Sequence, residues 1–150
     1  MRILVQRVLS ASVEIDGKAV SSIGKGVLLL VGVTPGDTTQ IADKMAEKVA
    51  KMRIFEDSEG KTNLSLSAVD GEILSVSQFT LYGSLKEGNR PSFVEAMKAD
   101  EARALYAYFL KKMQSVYPKT QSGVFQADMK VSLVNDGPFT LILDSKELWP

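Results

Sequence analysis

From Phe125 the chain alternates with a period of two: Phe125, Ala127, Met129, Val131 and Leu133 fall on one face, Gln126, Asp128, Lys130 and Ser132 on the other. A β-strand with one buried face has this period and a helix does not, so the chain must build a sheet for the segment to join. The strand then delivers Asn135-Asp136-Gly137-Pro138-Phe139-Thr140, a stretch that separates the apolar runs 131–134 and 139–143. It reads as the turn at the tip of a β-hairpin. Gly137 takes backbone angles closed to other residues, and Pro138 fixes its own φ and donates no N–H, so the tip is rigid. X-Pro bonds in folded proteins are cis only about 5% of the time, though tight turns collect them, and the residues alone leave this isomer open.

The rest of the chain supplies the sheet. Residues 3–15 are rich in Val, Ile and Leu and lead into Asp16-Gly17 with Val20 beyond, the pattern of a tight hairpin. Gly26-Val27-Leu28-Leu29-Leu30-Val31-Gly32-Val33 is a continuous apolar run, as expected of a central strand buried on both faces. Thr34-Pro35-Gly36-Asp37 breaks the run. Asp37 or Thr38 then caps a helix in which Ile41, Met45, Val49 and Met52 form a core stripe. Asp57-Ser58-Glu59-Gly60 is a turn, and residues 63–67 allow a short edge strand. Asp70-Gly71 marks another hairpin turn before a strand over residues 72–81, and the Gly- and Pro-containing segment 82–91 is a loop long enough to carry function. Asp100 caps a second helix with the stripe Leu105, Tyr108, Phe109, Met113 and Val116, and Pro118 lies past its end. Each amphipathic helix covers one side of a sheet, and residues 145–150 are a tail. The sum is an α+β fold, a mostly antiparallel or barrel-like β-sheet covered by two helices, in a single domain over residues 1–150.

Composition narrows the chemistry. Lys plus Arg equal Asp plus Glu, 18 against 18, so no global basic field draws the chain to nucleic acid and any such contact is local. Arg2, Arg7, Lys25, Lys86 and Arg90 are the candidates, each more simply read as a solvated surface residue. No apolar run approaches the roughly 20 residues of a membrane span, and residues 1–7 lack the layout of a signal peptide, which points to the cytoplasm. There is neither cysteine nor histidine. Disulfides, thiolate nucleophiles, Ser-His-Asp triads and zinc sites built on His or Cys are thereby excluded, and neither metal nor cofactor is expected. A hydrolase built from this chain works with hydroxyls, carboxylates, lysine, backbone N–H groups or the substrate itself.

Ser77-Gln78-Phe79-Thr80 brings two hydroxyls three residues apart, on opposite faces of a regular strand. Without a histidine to take its proton Thr80 is a poor nucleophile, and its better task is to orient a substrate group while nearby N–H groups hold a developing oxyanion.

In chain order, Gln6-Arg7-Val8 with Ala11-Ser12-Val13, Arg53-Ile54-Phe55, Ser77-Gln78-Phe79-Thr80-Leu81, Arg90-Pro91-Ser92-Phe93, Thr120-Gln121-Ser122-Gly123, Ala127-Asp128-Met129 and Val131-Ser132-Leu133-Val134-Asn135-Asp136-Gly137-Pro138 resemble the D-aminoacyl-tRNA deacylase family. The resemblance covers nearly the whole chain. It implies an enzyme that hydrolyses the ester between a D-amino acid, or glycine, and the terminal adenosine of tRNA, with the ribose 2′-hydroxyl in place of a protein base. It implies a homodimer in which the Gly137-Pro138 tip of one subunit, with a cis bond, projects into the site of the other and faces Ser77, Gln78, Phe79 and Thr80. On this reading the Phe79 N–H is an oxyanion donor, Thr80 and Gln78 organise the pocket, and Gly137 and Pro138, with Asn135 beside them, select chirality. Phe125 and Met129 would lie near the adenosine, although both also fit the core stripe. Phe139 departs from the smaller apolar residue expected after the proline. The other reading is a non-catalytic nucleic-acid-binding homodimer on the same scaffold, against which the neutral charge counts.

Overall fold

The computed structural model describes residues 1–150. Its organising element is β1 (Arg2–Ile15), which turns through Asp16 and Gly17, both at positive φ, into β2 (Lys18–Ile23). That is the backbone twist a two-residue hairpin loop requires. One flank of β1 is divided: its first half pairs antiparallel with β3 (Gly26–Gly32), its second half with β2. The other flank pairs antiparallel with β8 (Lys130–Asp144). Beyond β3 lie β6 (Glu72–Ser77) and β7 (Thr120–Ser122), both parallel, so the mostly antiparallel sheet is mixed at this end. The sheet curls until β7 nears β2, where the Gln121 side chain donates to the Ser22 carbonyl at 2.8 Å and accepts from its N–H at 3.1 Å. The barrel is nearly closed. A separate two-stranded sheet joins β4 (Arg53–Glu56) to β5 (Thr62–Ser65) around the expected turn at residues 57–60.

The unbroken apolar run in β3 serves both faces of this sheet. Val27, Leu29 and Val31 join Ile3, Val5 and Ile73 under the helices, while Leu28 joins Val8, Val13, Leu74 and Val76 in the second cluster inside the barrel. Helix α1 (Thr39–Lys51) starts at Thr38, whose hydroxyl accepts the Ile41 N–H, and buries Ala42, Met45, Ala46 and Val49. Helix α2 (Ala99–Val116) buries Ala102, Leu105, Tyr106, Phe109 and Met113 in the same cluster, so both helices cover the same side of the sheet. No helix is long and apolar enough to cross a membrane.

Several expectations are corrected. Lys98, not Asp100, occupies the N-cap of α2, and Asp100 lies in its first turn. Tyr106 replaces Tyr108 in the stripe: its hydroxyl meets Ser75 at 3.0 Å in the core, whereas Tyr108 stands outside and donates to Asp43 of α1. Asp70, at φ 52, closes a short 3-10 turn over Ser67–Val69 and does not join a hairpin, because β5 and β6 belong to different sheets. The tail is ordered: α3 (Ser145–Leu148) is capped by Asp144, and its buried Ser145 bonds the N-terminal residue. Residues 125–129 are not strand. Gln126 takes a positive φ and β8 begins at Lys130, although alternate side chains remain half-buried through the segment.

Gly26 faces Glu72 across the parallel pair so closely that a Cβ would sit 1.8 Å from the Glu72 carbonyl oxygen. The clash is with backbone, which no rotamer relieves. Gly26→Ala should lower stability by at least about 2 kcal/mol, measured as the denaturant midpoint.

Candidate active site

The strand β6 stops at Ser77, short of the expected Leu81. Gln78 leaves the sheet after donating its N–H to Val31, and Phe79–Tyr82 winds a single 3-10 turn. Gly32 permits this, because a Cβ there would lie 3.0 Å from the Gln78 carbonyl and 3.2 Å from the Leu81 Cβ. Ser77 and Thr80 therefore do not alternate across one strand. The turn brings Gln78 and Thr80 together, with the amide Nε2 donating to the Thr80 hydroxyl at 2.5 Å. The N–H groups of Phe79 and Thr80 open the turn, the positions a helical turn leaves without intrahelical acceptors. The Phe79 ring is 55% exposed and meets Phe93 edge to face at 5.0 Å, so an aromatic shelf borders these donors.

The Gly137-Pro138 stretch is not a hairpin tip. Residues on both sides of it pair with the same strand: Asn135 stands opposite Val8 and Thr140 opposite Gln6. Asp136 to Phe139 face Arg7 alone, so they are expelled from the ladder as a large bulge. Alternating apolar runs around an Asp-Gly-Pro look the same in sequence whether the second run returns or continues, and only the pairing partner distinguishes them. The Gly137-Pro138 peptide is cis. Gly137 adopts φ 146, where an added Cβ would come within 2.8 Å of the Phe139 nitrogen, so glycine is required.

Two side chains set the bulge. The Asn135 amide donates to the carbonyls of Arg7 at 3.1 Å and Phe139 at 3.0 Å and accepts the Phe139 N–H at 3.0 Å, clasping the loop at its neck. Arg7, read from sequence as a solvated surface residue, is only 6% exposed. Its guanidinium donates to the carbonyls of Asp136 at 3.0 Å and Ile54 at 2.8 Å, pairs with the Asp136 carboxylate, and lies 4.5 Å from the centre of the Phe139 ring. The aromatic residue after the proline thus has a partner beneath it. Nothing in the Arg7 neighbourhood of the sequence distinguishes it from a surface arginine except its period-two spacing from the buried Ile3 and Val5.

Within one chain no hydrogen bond joins residues 135–140 to residues 77–80. The turn packs beside Gly32, which is paired with Arg2, whereas the bulge lies over Arg7 on the opposite flank of β1. Five residues of strand, roughly 17 Å, separate the two rows. Phe125 and Met129 sit on the segment that leads from β7 into β8. Phe125 lies 6.0 Å from the Tyr106 ring under the Arg103 guanidinium, and Met129 packs over Gly123 against the barrel interior. At the end of the turn, Tyr82 is buried with no hydrogen-bond partner for its hydroxyl, and burial, with Asp37 and Asp144 near, pushes its pKa up. It stays a neutral phenol. No three acidic side chains converge so as to hold a metal ion.

A family model described as D-Tyr-tRNA(Tyr) deacylase matches residues 4–144. A D-aminoacyl-tRNA deacylase of Lactobacillus acidophilus is 59% identical over 96% of this chain and 99% of its own. One of Geotalea daltonii is 53% identical over the whole of both chains. The solved structure of a protein named c-Myc DNA Unwinding Element Binding Protein superposes with a TM-score of 0.91 at 39% identity, covering 96% of this chain and 98% of that one.

Asn135→Ala would leave the Phe139 N–H and two carbonyls without their clasp. A loss of about 1–3 kcal/mol in stability is expected, together with faster amide exchange at Phe139.

Proposed function

The chain belongs to the D-Tyr-tRNA(Tyr) deacylase family, and on that premise we propose that it hydrolyses the ester joining a D-amino acid to the terminal adenosine of tRNA, acting in the cytoplasm as a homodimer. Residues 1–150 act as one domain, since both apolar clusters draw on the same strands.

The observation that carries the proposal is the separation of the two motifs. The turn with the free donors and the rigid bulge lie on opposite flanks of β1, so the bulge of one chain completes the site of a second chain and not its own. The outer edge of β8 carries the exposed apolar residues Val134, Leu141 and Ile142, a surface suited to a partner.

Water, activated by the ribose 2′-hydroxyl, adds to the ester carbonyl, and the Phe79 N–H receives the oxyanion. The intermediate collapses to the free D-amino acid and the 3′-hydroxyl of the tRNA, which takes up the proton that the water released. A single oxyanion donor of this kind is worth about 10²–10³ in rate. Gln78 and Thr80 hold the pocket, and neither has a base beside it that would make it a nucleophile. Phe125 and Met129, on this reading, lie near the adenosine.

Selection of the D form follows from rejection. An enzyme that accepts many side chains cannot recognise each one attractively, so a stiff wall at the α-carbon is the economical device. Gly137 and Pro138, clasped by Asn135 and seated on Arg7, form such a wall, which clashes with an L side chain and is blind to glycine.

D-alanyl- and glycyl-tRNA should therefore be cleaved and L-alanyl-tRNA refused, with a substrate ending in 2′-deoxyadenosine nearly inert. Equal rates for L- and D-alanyl-tRNA, or a trapped acyl-enzyme at Thr80, would show the account wrong.

Sedimentation at micromolar concentration should give twice the chain mass. A monomer that remains active would remove the shared site.

The second reading, a nucleic-acid-binding dimer without chemistry, draws support from the 39% identical solved structure, whose protein is named for binding a DNA unwinding element. Release of D-amino acid from charged tRNA decides between them.

A further inference from the structure

We propose that Arg2 is a positioning residue for the turn Phe79–Tyr82, fixing through the Leu81 carbonyl the backbone donors at the start of that turn. What the turn does rests on the deacylase reading above; how it is held rests on geometry. Three residues stand side by side across neighbouring strands: Asp144 of β8, Arg2 of β1 and Gly32 of β3. Gly32 provides the space into which the turn descends. Arg2 fastens it, with Nη1 donating to the Leu81 carbonyl at 2.8 Å and the guanidinium carbon 4.7 Å from the centre of the Tyr82 ring. Asp144 orients the guanidinium, accepting from Nε at 3.0 Å and lying 2.9 Å from Nη2.

A single 3-10 turn is marginal without contacts from outside it. The bond that opens it, from the Leu81 N–H to the Gln78 carbonyl, is 3.4 Å long, beyond the usual range, and the Gly83 N–H closes it on the Thr80 carbonyl at 2.9 Å. Consecutive peptide planes in so short a turn are linked by few torsions, so a tilt of the Leu81 carbonyl carries back to the N–H groups of Phe79 and Thr80. A planar fork that engages a carbonyl, a carboxylate and a ring together is a task for arginine; the point charge of lysine meets one of them at a time.

The competing role for a partly exposed arginine at this place is a contact to a tRNA phosphate. The two differ kinetically: a lost phosphate contact raises KM and weakens the salt dependence, whereas a displaced oxyanion donor lowers kcat.

The test compares the full chain with Arg2→Gln and Arg2→Lys, the latter keeping the charge and stem in case the former does not fold. Steady-state rates on D-alanyl-tRNA and amide exchange are measured for each. Both variants should lose roughly tenfold to a hundredfold in kcat with KM within about twofold. The Leu81 and Gly83 amides should exchange faster, while those of the β1–β3 ladder keep their protection. A raised KM with unchanged kcat, or wild-type exchange at Leu81 and Gly83, would overturn the assignment. A wild-type chain that releases no D-amino acid refutes the deacylase reading instead, and the exchange data still decide whether Arg2 holds the turn.

Discussion

The backbone ladder between β1 and β8 is the constraint from which both ends of the molecule take their geometry. β8 pairs with β1 on either side of residues 136–139, so the register is pinned above and below them. Residues held between two pinned registers have no route except outward. The bulge is short, its ends are separated by Arg7 alone on the partner strand, and little closure entropy remains to be lost once the ladder has formed. The same ladder sets Asp144 beside Arg2 at its far end. A slip of one residue would turn every side chain of β8 to the other face and dismantle bulge and anchor together.

Burial of Arg7 makes the bulge a defined shape and not a loose loop. Removing a guanidinium from water costs several kcal/mol unless its donors and charge are met. Here the partners are the carbonyls of Ile54 and Asp136, the Asp136 carboxylate and the Phe139 ring, and all but the first belong to the bulge. Any rearrangement of residues 136–139 leaves a buried cation with one carbonyl. The cost of unpairing Arg7 thereby becomes the stiffness of the Gly137-Pro138 segment. Asn135 adds to it at the neck, where one amide meets both strands of the bulge.

Much of this was legible in the sequence, for reasons that differ by element. The hairpin at Asp16-Gly17, the central strand in residues 26–33 and the stripe of α1 follow from local rules, and the structure has them there. Long-range pairing was not legible. Residues 131–134 and 139–143 look like two arms of a hairpin, but they are one strand because their partner is residues 2–14. The end of β6 at Ser77 is hidden likewise, since the space the chain turns into is left by the missing Cβ of Gly32, distant in sequence. Gln78 and Thr80, and Asn135, Gly137 and Pro138, stand out in the sequence and lie in two compact groups. Arg7 and Arg2 look like surface charge in the sequence because nothing local records that a carbonyl or an aromatic ring will arrive from another element.

On the deacylase reading this chain, without histidine or cysteine, places its catalytic electrostatics in the backbone, and backbone is only as well aimed as the side chains that hold it. That is why arginines recur at both motifs. Arg7 secures the bulge and Arg2 the turn, each by donating to a carbonyl of the segment it holds and lying against that segment's aromatic ring. Both project from β1, so the spacing between the two is fixed by one strand. In the proposed homodimer each chain gives its turn to one site and its bulge to the other. In that arrangement a two-fold axis would make the β1 spacing in one subunit the registration between the two sites, and neither site would be complete in a chain alone.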